Sequence, residues 1–145
     1  MIKLNRTTAA QIMAAIIPFL GVAGNADTAN AISREDQAYA SSPYDYCDAK
    51  KVAAVWGISV SRAKSVIGRK ILQGNQRLLN ADIDSTARSV RCSIVDIGLS
   101  YRDAEKLAAY WGRTSSDAKA KAAAIASQYG GGKFRIMMAH VIGRR

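Results

Sequence analysis

Histidine and cysteine are scarce in this 145-residue chain, and their scarcity argues against several classes of function. The one histidine, His140, has no serine or cysteine near it in a recognisable nucleophile arrangement. The two cysteines do not form a C-x-x-C motif, so neither a dithiol redox site nor a zinc knuckle is indicated. The sequence therefore predicts no bound metal and no cofactor.

Acidic residues are also few, at 11 against 21 lysines and arginines. Most of them fall where helix caps or surface partners are expected, so a carboxylate pair for general acid–base catalysis is not visible. No glycine-rich phosphate loop follows a strand-like segment. We expect a protein that is not an enzyme.

Long apolar runs are missing as well. The run over residues 12–23 is shorter than the roughly 20 residues that a membrane-spanning helix needs. Lys3 and Arg6 precede it, and Ala-Asn-Ala at 29–31 suits signal peptidase. The pattern predicts a cleaved signal peptide over 1–31, no transmembrane segment in the mature chain, and a periplasmic or secreted location.

What is abundant is positive charge, with a formal net charge of +10. A small exported domain of this charge is attracted to anionic surfaces. The candidate partners are an anionic polymer, a membrane surface or an acidic protein, with nucleic acid as an alternative.

A nineteen-residue segment occurs twice. Residues 46–64 read YCDAKKVAAVWGISVSRAK, and residues 101–119, at a constant offset of 55, read YRDAEKLAAYWGRTSSDAK. Eleven of the nineteen positions are identical, including Tyr, Asp, Trp-Gly and Lys in one register, which alanine-rich composition alone would not align. This indicates an internal duplication, which we place at 46–73 and 101–129.

Each copy has the pattern of a helix, a glycine stop and a second helix. Apolar residues of each first helix recur at i, i+3, i+4 and i+7, and a glycine that follows can take the left-handed conformation. The predicted stops are Gly57 and Gly112, and the predicted helix caps are Asp48, Ser59, Asp103 and Thr114. We expect two related helix-turn-helix corners, at about 48–73 and 103–129.

The other segments complete a prediction of one all-α domain over 46–145. Residues 32–45 are polar without a sustained period and are predicted as an extended lead-in. Residues 78–96 are predicted as an intervening helix. The three glycines at 130–132 indicate a flexible break before a short amphipathic helix or strand. Because no long stretch alternates with period two, we expect an all-helical protein.

Cys47 and Cys92 are both in the predicted mature chain. In an oxidising compartment, two thiols in so small a domain usually pair, and the sequence predicts a disulfide between them. In a cytosolic chain they would instead be two buried thiols.

Two tryptophans and a set of basic residues are candidate functional residues. Trp56 and Trp111 lie at helical spacing on apolar faces, so we predict core anchors rather than stacking platforms for a ligand ring. The basic residues predicted to meet an anionic partner are Lys51, Lys64, Arg69, Lys70, Lys106 and Lys119. The Lys51/Lys106 and Lys64/Lys119 pairs are retained in both copies.

The first copy has a further pattern in residues 52–71, VAAVWGISVSRAKSVIGRKI. With an early alanine, a glycine at the turn and Ile-Ser after it, this segment resembles the helix-turn-helix of lac-repressor-type transcription regulators. The resemblance implies that Ser59, Val60, Ser61, Arg62 and Ser65 face a DNA major groove.

Taken together, these patterns predict an exported, non-enzymatic helical binding or structural module of a bacterial-type cell envelope. A cytoplasmic DNA-binding protein is the first alternative. A small periplasmic enzyme inhibitor or chaperone is the second.

Overall fold

The computed structural model describes residues 32–86 and 89–143, and the predicted signal peptide lies outside them. These two stretches contain helices and connecting turns, with no strand, so the all-α prediction is confirmed. The helices are α1 (Arg34–Ala40), α2 (Tyr46–Trp56), α3 (Val60–Leu72), α4 (Gln76–Ser85), α5 (Tyr101–Trp111), α6 (Ser115–Tyr129) and α7 (Gly131–Ile142).

The predicted extended lead-in over 32–45 is wrong in its first half, which forms α1. Ser33 is the N-cap, its hydroxyl accepts a hydrogen bond from the backbone N–H of Asp36, and two acidic residues occupy the first turn. Seven residues are too few to show a helical period, so hydrophobic spacing did not indicate this helix. Helix α1 packs against α3, which supplies the apolar partner that so short a helix needs.

Helices α2 and α5 begin three residues earlier than predicted. Their N-caps are Asp45 and Ser100, and each accepts a hydrogen bond from the backbone of the residue three positions on. The carboxylates of those residues, Asp48 and Asp103, accept hydrogen bonds from the backbone N–H groups of the caps, so both helices start with a capping box. The prediction of Asp48 and Asp103 as N-caps is therefore wrong by one turn.

The turn after each of these helices has the predicted residues. Gly57 and Gly112 are the C-caps in the left-handed region, at φ 61° and 62°. Ser59 and Thr114 then cap α3 and α6, each accepting from the backbone N–H three residues later. These stops and caps are confirmed.

The intervening helix is shorter than predicted, since α4 ends at Ser85 instead of reaching residue 96. Ser93 and Asp96 exchange side-chain to backbone hydrogen bonds of 2.8 and 3.3 Å, which offer the backbone an alternative to the helix. Cys92 therefore lies in a connecting segment, from which it forms the predicted disulfide with Cys47.

Buried apolar side chains form two clusters. The first joins α2, α3 and α4 through Ala49, Val52, Ala53, Ala63, Ile67, Leu79 and Ile83. The second joins α5, α6 and α7 to the disulfide through Cys47, Cys92, Ile97, Leu99, Leu107, Ala108, Ala118, Ala122, Ala126 and Phe134. Helices α2 and α3 form one helical hairpin, and α5 and α6 form another. Each hairpin thus has its own core, which α4 completes in the first and α7 in the second.

The prediction of two tryptophan core anchors is wrong for Trp56, which is 45% exposed. It is the last residue of α2, and its indole Nε1 donates to Asp82 of α4 at 3.1 Å across the surface. Trp111 is partly buried and packs against the second cluster. Tyr129, the last residue of α6, is also exposed, and the buried residues of that helix are Ala118, Ala122 and Ala126.

Helix α7 begins directly within the glycine run that was predicted as a flexible break. Gly130 separates α6 from α7, while Gly131 and Gly132 are buried in the first turn of α7. None of the helices in the described ranges has the length and apolar character that a bilayer crossing requires.

Candidate functional site

The first pair of retained lysines contacts helix ends. Lys51 has no exposed surface, and its Nζ donates to the carbonyl oxygens of Ile83 and Ser127, in the last turns of α4 and α6. Lys106 is exposed, and its Nζ donates to the carbonyl oxygen of Ile142, the last residue of α7, at 3.1 Å. A cation is favourable at a helix C-terminus because the terminal carbonyls lack partners.

These contacts change the prediction for both lysines. Burial lowers the pKa of Lys51, and the negative charges of Asp48 and Asp84 oppose that shift. Lys51 is enclosed by protein and is therefore not a residue that meets an external anion. Lys106 is at the surface, but its ammonium already has a backbone partner.

The second retained pair of lysines lies over aromatic rings. Lys64 Nζ is 5.0 Å from the ring centroid of Tyr46, and Lys119 Nζ is 4.5 Å from that of Tyr101. All four residues are retained at the offset of 55, so the same contact occurs in both hairpins. The two tyrosines are 44% and 62% exposed, which places both pairs at the surface.

Two more lysines lie over the tryptophans, at positions that do not correspond in the two copies. Lys70 Nζ is 5.5 Å from a ring of Trp56, and Lys121 Nζ is 4.5 Å from a ring of Trp111. Arg69 is exposed beside Lys70. Lys64, Arg69, Lys70 and Lys119 thus remain at or near the surface, as contact with an external anionic partner requires.

A buried carboxylate pair joins the start of α2 to the start of α7. Asp48 accepts hydrogen bonds from the backbone N–H groups of Gly131 and Gly132 at 3.0 and 2.9 Å. Asp45 lies beside it, with its Oδ2 3.9 Å from Arg135 Nε. The first turn of α7 provides the free amides and the positive dipole end that favour a carboxylate.

The glycines of this turn permit the close approach. A Cβ at Gly131 would collide with the Asp45 carboxylate, and one at Gly132 would lie 2.6 Å from the carbonyl oxygen of Pro43. Burial, with the charge of neighbouring Asp48, raises the pKa of Asp45 to about 7, and burial also raises the pKa of Asp48. The pair therefore holds a proton more tightly than ordinary carboxylates do.

A cavity of about 770 Å³ lies beside this pair. It is bounded by residues 39–45, by residues 98–99, by Asp103 at the start of α5 and by one face of α7. The apolar side chains that line it include Leu99, Ile136, Ala139 and Ile142, and the charged ones are Asp45, Asp103 and Arg135. Cavities of this size and mixed lining are typical of small-molecule sites.

The face of α3 that the regulator resemblance assigns to DNA is partly covered by α1. The Ser65 hydroxyl donates to Asp36 of α1 at 2.7 Å, and Gly68 lies against the backbone of Glu35. A side chain held in this way does not reach a DNA groove without displacing α1. Ser61 and Arg62 remain exposed.

Sequence reasoning missed Asp45, Arg135 and Lys121 as candidate site residues. A signal existed for Asp45, because Asp45 and Asp48 have the spacing of a capping box, as do Ser100 and Asp103. Arg135 had no such signal, since its neighbours come from more than thirty residues away. Among the described residues, no group of three or more His, Cys, Asp or Glu side chains is placed to hold a metal ion.

Comparison with protein-family models, with curated proteins and with solved structures yields no match for this chain.

Proposed function

We propose that this protein is an exported, non-enzymatic helical binding module of the cell envelope that meets an anionic partner through its basic surface. The observation that carries the proposal is the repeated contact of Lys64 with Tyr46 and of Lys119 with Tyr101. Among the residues that the structure describes, it is the lysine contact that both hairpins retain at the surface, since Lys51 is buried and Lys106 is exposed.

The chemistry of the pairs suits an anionic partner. An ammonium over an exposed ring gains about 0.5–1 kcal/mol, which favours a defined position without neutralising its charge. A partner that carries anionic groups would meet a fixed cation and, next to it, an aromatic face. With the Lys70–Trp56 and Lys121–Trp111 pairs, four such positions lie on the two hairpins.

Two further elements belong to the proposal. The first is removal of the signal peptide over 1–31, which the Cys47–Cys92 disulfide supports because such bonds persist in oxidising compartments. The second is that the two hairpins originated as copies of one helix-turn-helix corner. Equal spans of α2 and α5 and nearly equal φ at Gly57 and Gly112 support this origin.

Binding is tested by salt-gradient elution of the protein from heparin and from immobilised phosphatidylglycerol vesicles. We expect retention on at least one matrix that weakens steeply as salt rises, since contacts between exposed charges are screened. Elution from both in the lowest-salt wash would reject the proposed function.

Export is tested by intact-mass analysis of the protein recovered from its native host. We expect a species that begins at Ile32 and is lighter by two hydrogens, because the disulfide has formed. Recovery of a full-length, reduced chain from the cytosol would contradict export and would return the DNA-binding alternative to consideration, despite the α1 contact at Ser65.

A further inference from the structure

Asp45, which lines the cavity beside α7, has a buried carboxylate oxygen that accepts no hydrogen bond from the described residues. Asp45 Oδ1 accepts from the backbone N–H of Asp48 at 3.1 Å, but Oδ2 is without such a donor. The Asp45 side chain is 6% exposed, and Arg135 Nε, at 3.9 Å from Oδ2, is beyond hydrogen-bond distance. Leaving a buried oxygen in this condition costs free energy.

We propose that this cavity binds a primary amine carried on an apolar body, with the ammonium group on Asp45 Oδ2. When Asp45 is ionised, above its pKa of about 7, its carboxylate oxygens accept hydrogen bonds and do not donate them, so the group that Oδ2 lacks is a donor. An ammonium offers three N–H donors, and its positive charge offsets the burial of two neighbouring carboxylates, Asp45 and Asp48.

The rest of the cavity suits the apolar body of such a ligand. Ile136, Ala139 and Ile142 follow one another at helical spacing along the side of α7 that lines the cavity. Leu99 adds a fourth aliphatic side chain from the segment before α5. An alkyl or cycloalkyl group would remove this surface from water at about 25 cal/mol per Å².

Arg135 acts in this scheme as an internal competitor. Its Nη2 donates to the carbonyl oxygen of Pro43 at 3.2 Å, which holds its guanidinium near Asp45, with Nε 3.9 Å from Oδ2. Its side chain is 30% exposed, so it can move outward when an amine takes its place. Removing the guanidinium should therefore strengthen amine binding, whereas removing the Asp45 charge should abolish the preference for an amine.

The proposal is tested by titration calorimetry of the full-length protein with hexylamine, hexan-1-ol and hexanoate, at about pH 8 so that Asp45 is ionised. We expect hexylamine to bind at least about tenfold more tightly than the other two probes. In Asp45→Asn the preference should disappear, and Asn still serves as an N-cap so that α2 is kept. In Arg135→Gln hexylamine should bind several-fold more tightly.

Two variants serve as matched controls. Asp117→Asn alters a carboxylate in the first turn of α6, away from the cavity, and Lys133→Gln removes a charge from α7 at a residue that pairs with Asp84. Both should leave the hexylamine affinity within about twofold. Equal affinity for hexylamine and hexan-1-ol in the wild type and in Arg135→Gln, or an unchanged amine preference in Asp45→Asn, would overturn the proposal.

Discussion

Identical residues at equivalent positions of the two hairpins have unequal surroundings. Lys51 is enclosed between the ends of α4 and α6, while Lys106 reaches the end of α7 across the surface. The retained lysine thus donates to carbonyl oxygens at helix C-termini in both repeated segments, but Lys51 is buried and Lys106 is exposed. The sequence repeat alone would have predicted the same energetic role for both lysines.

We expect Lys51→Met to lower the free energy of unfolding by about 2–3 kcal/mol. The reason is that two carbonyl oxygens at helix ends would lose their hydrogen-bond donor at a site where water does not replace it. Lys106→Met should cost less than about 1 kcal/mol, because solvent can replace its ammonium. Urea unfolding of the two variants measures the difference. Equal costs would contradict the burial of Lys51.

The buried pair of Asp45 and Asp48 predicts an unusual pH dependence. The pKa of Asp45 is raised from 3.8 to about 7, so between these values the folded protein retains a proton that the unfolded chain has lost. The free energy of unfolding should therefore fall as pH rises through this window and become level above it. A pKa shift of this size lowers the free energy of unfolding by at most about 4 kcal/mol across the window.

Asp45→Asn should remove most of this decline, since Asn does not titrate. Urea unfolding at about pH 4.5, 6 and 7.5 compares the two proteins, with Asp117→Asn as a control that should keep the wild-type slope. An equally steep decline in Asp45→Asn would show that Asp45 is not the responsible group.

At the scale of single residues, local signals were predictable and long-range ones were not. Ser59, Thr114, Gly57 and Gly112 were identified correctly because caps and left-handed stops depend on a few neighbouring residues. The exposed position of Trp56 was not predictable, because its indole donates to Asp82 on α4, a residue that is distant in the sequence.

At the scale of elements, the helices with a long apolar period were predicted and those defined by tertiary contacts were not. Helices α2, α3, α5 and α6 all show the period and were predicted, although α2 and α5 begin one turn earlier than expected. Helix α1 is too short to show one and is held by packing on α3. The end of α4 was misplaced because apolar residues that continue its period belong to the segment around the disulfide.

The packing of α1 on α3 makes Gly68 a sensitive position. A Cβ there would overlap the backbone of Glu35, which cannot rotate away as a side chain would. We expect Gly68→Ala to destabilise the protein by about 1–3 kcal/mol despite the better helix propensity of alanine. Protection of the α1 amides in hydrogen exchange should fall with it. A more stable variant would mean that α1 is not packed as described.

At the scale of the whole molecule, α2 connects the two hydrophobic clusters. Its residues Ala49, Val52 and Ala53 belong to the first cluster, while Cys47, two residues before Ala49, belongs to the second, as does its disulfide partner Cys92. The sequence predicted the disulfide from cysteine number and compartment. It gave no sign that there were two clusters, because periodicity identifies a buried face and not its partner.

The central claim is that lysine–tyrosine pairs repeated in both hairpins form the basic surface that meets an anionic partner. It is tested most directly by the salt dependence of heparin affinity for Lys64→Gln/Lys119→Gln and for the matched double variant Lys106→Gln/Lys133→Gln. Both lose two charges, but the lysines of the second variant have a carbonyl or carboxylate partner instead of a ring. We expect the first variant to lose at least about tenfold in affinity and to show a shallower salt slope, with the second near the wild type. Equal losses in the two variants would contradict the claim.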